Sequence, residues 1–306
     1  MILATGLSPA WQQILSFDSF RSGEVNRASQ THWCASGKVL NVGIALAHLG
    51  GPSLTISPVG HAQRAMIDED LEALRVPRRW IVTNAPTRVC TTVLDTSSGT
   101  TTELVENAHP LTDDELTDLE QTCREQAANA DVVVFTGSLP PGTPRDFFRR
   151  LLAHTQAPAV LDIRGPELLE ALKERPLLVK PNRQELADTL GRSLDDERDL
   201  AGAMGELVER GAQWALVTDG SRDAWVRHED RFWKVSPLAV ETINPIGCGD
   251  CLAAGIAWSL REGEEPLQAI RNGIAAAAEN AAMLLPSRLD PGCVAARAKE
   301  VTILEV

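Results

Sequence analysis

Residues Ile243 to Cys251 read INPIGCGDC and run directly into LAAGIAWSL. A single carboxylate, Asp250, follows two glycines and precedes an apolar run suited to a helix buried against a sheet. The first-turn N–H groups of a helix have no intrahelical partner and carry partial positive charge. Glycines let the backbone approach a ligand closely. Gly247, Cys248 and Gly249 therefore offer donors to a developing negative charge, with Asp250 beside them to accept a proton. Such a set suits phosphoryl transfer: amides steady the moving phosphate while the carboxylate takes the proton of an attacking hydroxyl. The same residues also make an ordinary helix N-cap, and on this stretch alone that plainer reading is favoured. Cys248-x-x-Cys251 admits a redox or metal reading, since a thiol at a helix N-terminus can be acidified, but no second Cys or His pair at zinc spacing accompanies it.

Around this stretch lies a chain of 306 residues, 43% apolar and 23% charged, with a formal charge of −13. That balance argues against a nucleic-acid footprint or an anionic membrane surface. It leaves room for an anionic small ligand in a locally positive pocket. The N-terminal MILATGLSPA lacks a basic segment followed by a long apolar one, and no run reaches membrane-span length. Six cysteines are too sparse for a disulfide scaffold in so long a chain. These features lead us to expect a cytoplasmic protein with reduced thiols.

Short β-branched runs alternate with helical patterns. Strands are expected at 2–5, 54–59, 131–136, 159–163, 177–180 and 214–218, several of them apolar at successive positions, as in parallel strands buried on both faces. Helices are expected at 38–49, 113–129, 144–154, 167–174, 183–190 and 196–210. The alternation predicts an α/β fold with a doubly wound, mostly parallel sheet and helices on both faces. Two segments break the rhythm. Residues 12–33 and 87–105 read as strand pairs without helices, TSSGT supplying one turn. They predict a small β-sheet lid, 12–33 and 87–105, over a large α/β domain formed by 1–11, 34–86 and 106–306.

Nine stretches carry a resemblance over almost the whole chain: ATGLSPAWQ, GEVNRA, SGKVLNVGIALAHLGG, TRVCTTV, TELVE, TGSLPPG, VKPNRQEL, VTDGS and NPIGCGD. In this order and spacing the chain resembles the ribokinase-like sugar kinases, and within them the phosphofructokinase B group that includes 1-phosphofructokinase and tagatose-6-phosphate kinase. The resemblance implies ATP-dependent phosphoryl transfer to a sugar phosphate, with Asp250 as base and Gly247, Cys248 and Gly249 as anion hole. It implies that Asn182 and Glu185 act on magnesium through water, since hard oxygen donors and their waters suit that ion; helix positions three apart share a face. Lys180, Thr218 and Gly220 take nucleotide-side positions. Gly37, Lys38 and Asn41 lie on the sugar side, the last two placed three apart so that both can face one ligand. Gln12 and Ser138 join them there. Arg27 and Arg88, each read as lying in a lid strand, match positions that hold the phosphate already on the substrate, and two guanidiniums suit one dianion. Mg-ATP, a sugar phosphate, an optional monovalent cation and a homodimer joined through the lid complete the expectation.

The chain departs from the group chiefly on the sugar side. Gln12 stands where an Asp is usual, so a neutral mixed donor and acceptor replaces a charged acceptor. The usual G-G-K-G is Ser36-Gly37-Lys38-Val39, and Cys248 replaces an alanine. LLPSRLD lacks a Gly-rich turn. Fructose 6-phosphate, fructose 1-phosphate and tagatose 6-phosphate are the analogous substrates. Two rivals stand beside them: a kinase for a free sugar or nucleoside, and a non-catalytic nucleotide or sugar-phosphate sensor.

Overall fold

Runs such as VVVF and WALV have no polar face to offer solvent, so they form strands covered on both sides. The computed structural model describes residues 1–306. Its strands are β1 (Ile2–Thr5), β2 (Ala10–Phe17), β3 (Gln30–Ser36), β4 (Ser53–Gly60), β5 (Arg78–Thr83), β6 (Arg88–Asp95), β7 (Thr100–Val105), β8 (Val132–Thr136), β9 (Ala159–Asp162), β10 (Leu178–Val179), β11 (Trp214–Asp219), β12 (Arg222–His228), β13 (Arg231–Ser236) and β14 (Thr302–Glu305). Its helices are α1 (Lys38–Leu49), α2 (His61–Ala73), α3 (Asp113–Ala127), α4 (Phe147–Leu152), α5 (Pro166–Ala171), α6 (Arg183–Leu190), α7 (Glu197–Glu209), α8 (Cys248–Arg261), α9 (Pro266–Ala281) and α10 (Pro291–Ala298). The six strands expected in the large sheet all form, within one residue at each end.

Ten strands make one sheet in the order β14-β13-β12-β11-β10-β9-β8-β1-β4-β5. From β11 to β5 every pairing is parallel. Strands β12 to β14 extend it antiparallel, beyond the alternation read from the sequence. One face packs on α1, α8, α9 and α10 and the other on α3 to α7, with an apolar cluster of the same size on each side. Neither face is left to solvent, so the strand ends are the natural place for a ligand. Helices α8 and α9 meet backbone to backbone: a Cβ on Gly255 would lie 2.9 Å from Gly273 Cα, and one on Gly273 2.7 Å from Leu252 O. This contact seats α8 firmly. No helix is long and apolar enough to cross a membrane.

A second, four-stranded sheet has the order β3-β2-β6-β7. Strand β2 pairs parallel with β6, and the outer pairs are antiparallel. The β6–β7 turn falls on the Ser/Gly segment, as expected. The link from β2 to β3 is instead a loop over 18–29, so Arg27 lies in that loop and not in a strand. Register puts Ser36, Cys34, Ala10, Gln12, Ile14, Arg88, Cys90 and Thr92 on one face. That face packs through Ile14, Cys34 and Leu94 on Leu284 and Leu285.

Candidate active site

Helix α8 begins where the chain turns through Gly247, whose φ of 84° excludes most side chains. A Cβ there would also lie 3.1 Å from Pro286 Cβ and 3.3 Å from Ser287 Oγ. No side chain caps α8. The N–H groups of Gly247, Gly249 and Asp250 donate to nothing within the chain, whereas that of Cys248 donates to Pro245 O at 3.3 Å. The set of unpartnered amides is therefore shifted from the expected one: Cys248 N–H is engaged in the turn, and Asp250 N–H takes its place. Asn280 braces the loop, donating from Nδ2 to Ile246 O at 2.8 Å and accepting from Ser287 N at 2.6 Å.

Asp250 is 5% exposed. Its Oδ2 accepts from Asn41 Nδ2 at 2.7 Å, and Asn41 Oδ1 accepts from Ser36 Oγ at 3.1 Å. Burial and the Asp162 charge push its carboxyl up to about 6, against the opposing pull of Lys38, the Asn41 bond and Lys180. A carboxylate so placed is a better proton acceptor than a solvated aspartate.

Beside it stands a cluster that sequence reading found only in part. Asp162, at the end of β9, is buried and accepts from Lys180 at 3.0 Å, from Lys38 at 3.3 Å and from Thr136 Oγ1 at 3.1 Å. Burial would raise its pKa, but the two ammonium groups more than offset this and hold it below the ordinary range. Lys38 Nζ also lies 3.5 Å from Glu185 Oε1. Burial would lower its pKa, yet Asp162, Glu185 and Asp250 hold it well above the usual lysine value. Lys38 thus faces the strand-end carboxylates rather than the small sheet. Lys180, its side chain 4% exposed, is an internal ion-pair partner and not a solvated lysine. The signal for Asp162 was a polar residue closing the apolar run AVLD at a strand end, as Lys180 closes LLVK.

Asn182 and Glu185 bind each other. Asn182 Oδ1 accepts from Glu185 N at 2.8 Å, and Glu185 Oε2 accepts from Asn182 N at 2.9 Å, a capping box on α6. The Asn182 oxygen is thereby engaged, which leaves its NH2 end for an anion, and Glu185 keeps Oε1. Thr218 lies alongside, bridged to Asn182, and Gly220 follows at a φ of 60° with open space around it.

On the small-sheet side, Gln12 is buried and donates from Nε2 to Thr92 Oγ1 at 2.7 Å. Gly37 opens α1 at a φ of 85°, where a Cβ would lie 2.8 Å from both Ala10 N and Ser8 O. Arg88 donates to Ser8 O, Pro9 O and Glu106 O at 3.1, 3.3 and 3.2 Å. All three acceptors are neutral, so its charge is not compensated by them. Ser138 is exposed, and its carbonyl accepts from Ser8 Oγ at 2.6 Å. Arg27 is exposed in the 18–29 loop. Cys248 does not have an acidified thiol: burial, then the Asp250 charge, raise its pKa despite a contact with Asn280 Nδ2 at 3.3 Å. Burial raises Cys251 further.

Both Asp162 oxygens are taken by Lys180, Lys38 and Thr136, so the hard oxygen left near Lys38, of the donor type magnesium accepts through water, is Glu185 Oε1. No three His, Cys, Asp or Glu side chains are grouped to hold a metal directly. That donor set fits an ion arriving with a nucleotide.

Comparison with known proteins gives the family. The pfkB family carbohydrate kinase profile matches residues 11–282. A tagatose-6-phosphate kinase of Staphylococcus epidermidis is 31% identical over 266 residues, 85% of each chain. Escherichia coli phosphofructokinase-2 superposes in its complex with fructose-6-phosphate at a TM-score of 0.86 and 27% identity, over 98% of this chain and 99% of that one. Its complex with potassium gives 0.88 and 25% over the same shares. A Thermotoga maritima structure, 22% identical, shares the fold over the full length of both chains at a TM-score of 0.91. With a matched profile across most of its length and a phosphotransferase geometry at its strand ends, the chain belongs to the pfkB family of carbohydrate kinases and phosphorylates a sugar hydroxyl.

Proposed function

We propose that the protein transfers the γ-phosphoryl group of ATP to a hydroxyl of a sugar phosphate, with Asp250 as the base. The observation that carries this reading is a buried, proton-hungry carboxylate beside three unpartnered amides at the start of α8. The acceptor hydroxyl passes its proton to Asp250 as its oxygen bonds to the γ-phosphorus and the bond to the ADP oxygen breaks. The amides of Gly247, Gly249 and Asp250 receive the charge on the phosphoryl oxygens. Lys38 and the Asn182 NH2 group hold the nucleotide phosphates, and Glu185 Oε1 would hold magnesium through water. Magnesium, when bound, screens the phosphate charge. Thr218 and Gly220 line the nucleotide side.

Gln12, Asn41, Gly37 and Ser138 face the sugar, and Arg88 holds its phosphate. Tagatose 6-phosphate, fructose 6-phosphate and fructose 1-phosphate are the candidates; the names of the relatives support the first two. The small sheet acts as a lid that excludes water during transfer. It comprises 12–33 and 87–105, its strands β2 and β3 running on to Ala10 and Ser36, against a large domain of 1–11, 34–86 and 106–306. A monovalent cation is supported by the potassium complex of the Escherichia coli relative. All six cysteines are unpaired, in keeping with a cytoplasmic location.

A second reading, a kinase for an unphosphorylated sugar or nucleoside, is favoured by Arg27 lying exposed in a loop and Arg88 being held by backbone carbonyls. ADP release from Mg-ATP over a panel of phosphosugars, free sugars and nucleosides, with Asp250→Asn as control, decides between them. We expect turnover with a phosphosugar, lowered by roughly 10²–10⁴-fold in the variant with ATP binding retained. Turnover with only a free acceptor would establish the second reading. ATP binding with silence across the panel would favour a sensor.

A further inference from the structure

Asp250 is held by one side-chain hydrogen bond, and that bond depends on a third residue. Asn41 Nδ2 donates to Asp250 Oδ2 at 2.7 Å, and Ser36 Oγ donates to Asn41 Oδ1 at 3.1 Å. Asp250, Asn41 and Ser36 are 5%, 2% and 1% exposed, so bulk water does not substitute for either bond. An ionised carboxylate only accepts. The amide must therefore turn its NH2 end to Asp250, which sends its oxygen the other way. That buried oxygen then requires a donor, and the Ser36 hydroxyl is the one the chain supplies.

We propose that Ser36 is a positioning residue for Asp250: its hydroxyl fixes the Asn41 amide, so that one carboxylate oxygen is held and the other is left to receive the acceptor's proton. The inference rests on Asp250 being the base. Its reach extends to the small sheet, because Ser36 is the last residue of β3 and pairs with Ala10. It lies on the same sheet face as Gln12 and Arg88. The strand that covers the sugar side thus carries the hydroxyl that aims the base. Displacing β3 breaks the chain of bonds, so Asp250 is correctly aimed only while the sheet is seated. Proton transfer is in this way tied to the presence of an enclosed acceptor.

The test is a double-mutant cycle read by carbon-13 NMR titration of the Asp250 carboxyl in the protein without substrate. The charged and titratable groups facing Asp250 are Lys38 on α1, Asp162 at the end of β9, Lys180 after β10, and Cys248 and Cys251 on α8. Ser36→Ala alters none of them. It should move the Asp250 midpoint upward by about half a pH unit to one unit, because the freed amide no longer favours the ionised form. The acid limb of kcat/KM should move equally, with KM for ATP unchanged. In an Asn41→Leu background Ser36→Ala should add nothing. An unmoved midpoint in Ser36→Ala, or the same shift with and without Asn41, would overturn the proposal. If Ser36→Ala does not fold, Ser36→Cys, a weaker donor of similar size, reports the same shift. The titration needs no turnover, so its failure is distinct from failure of the kinase reading, which the substrate panel decides.

Discussion

The Asp250 carboxyl is raised from the ordinary 3.8 to about 6, first by burial and then by the Asp162 charge. A folded-state pKa above the unfolded one means that the ionised form is penalised in the fold. The penalty is full above about 6 and absent below the unfolded value. Asp250→Asn removes it, and should raise the thermal midpoint at pH 7.5. The gain should shrink as pH falls through 6 and vanish near 4. Calorimetry from pH 4 to pH 8 checks this, and a loss of stability at neutral pH would refute it. Asp250, Lys38, Asn41, Lys180 and Glu185 were legible because each sits in a short stretch, SGKVLN, VKPNRQE or NPIGCGD, that carries the family resemblance at an element's start or end. Asp162 was passed over although its run ends the same way, since its meaning comes from Lys38, 124 residues distant. Ser36 stood out only as a departure from a glycine; its bond to Asn41 depends on how β3 meets α1.

At the scale of elements, the helix that presents Asp250 is fixed by its contact with α9 at Gly255 and Gly273. Gly273→Ala would drive a Cβ to within 2.7 Å of Leu252 O and of Ile256 Cγ1. Overpacking of this kind costs about 1–3 kcal/mol, despite alanine's better helix propensity. Urea denaturation should show a lowered midpoint, and kcat should fall more than KM for ATP rises, because α8 moves relative to the strand ends. An unchanged midpoint would mean that the helices have room to part. The parallel strands were legible because burial on both faces demands unbroken apolar runs. Strands β12 and β13 were not, because RDAWVRH and RFWKVS are half solvated and their short apolar stretches are interrupted or flanked by charged residues. Capping boxes at Thr112, Asn182 and Asp196 fix three helix starts close to where composition placed them. The start of β3 was misjudged because the 18–29 loop is rich in residues that suit either state.

For the molecule as a whole, the small sheet keeps one face unpacked in part. Trp33, Gln13, Thr91 and Leu104 form one row across it, with Trp33 and Leu104 45% and 59% exposed and Trp11 stacked on Trp33 at 6.0 Å. A sheet of this size is marginal alone, and we propose that a second copy covers this face. Trp33→Glu should convert a dimer to a monomer in light scattering; an unaltered mass would place the contact elsewhere. The sheet order has a further consequence, for synthesis. The first strand made, β1, ends up between β4 and β8. Its partner β4 emerges early, but β8 begins only at Val132. A growing chain therefore exposes one edge of a strand that ends up inside the sheet until nearly half of it has left the ribosome. Unpaired edges of this sort invite wrong partners, so the interval before β8 emerges is the one in which the nascent chain is most open to mispairing.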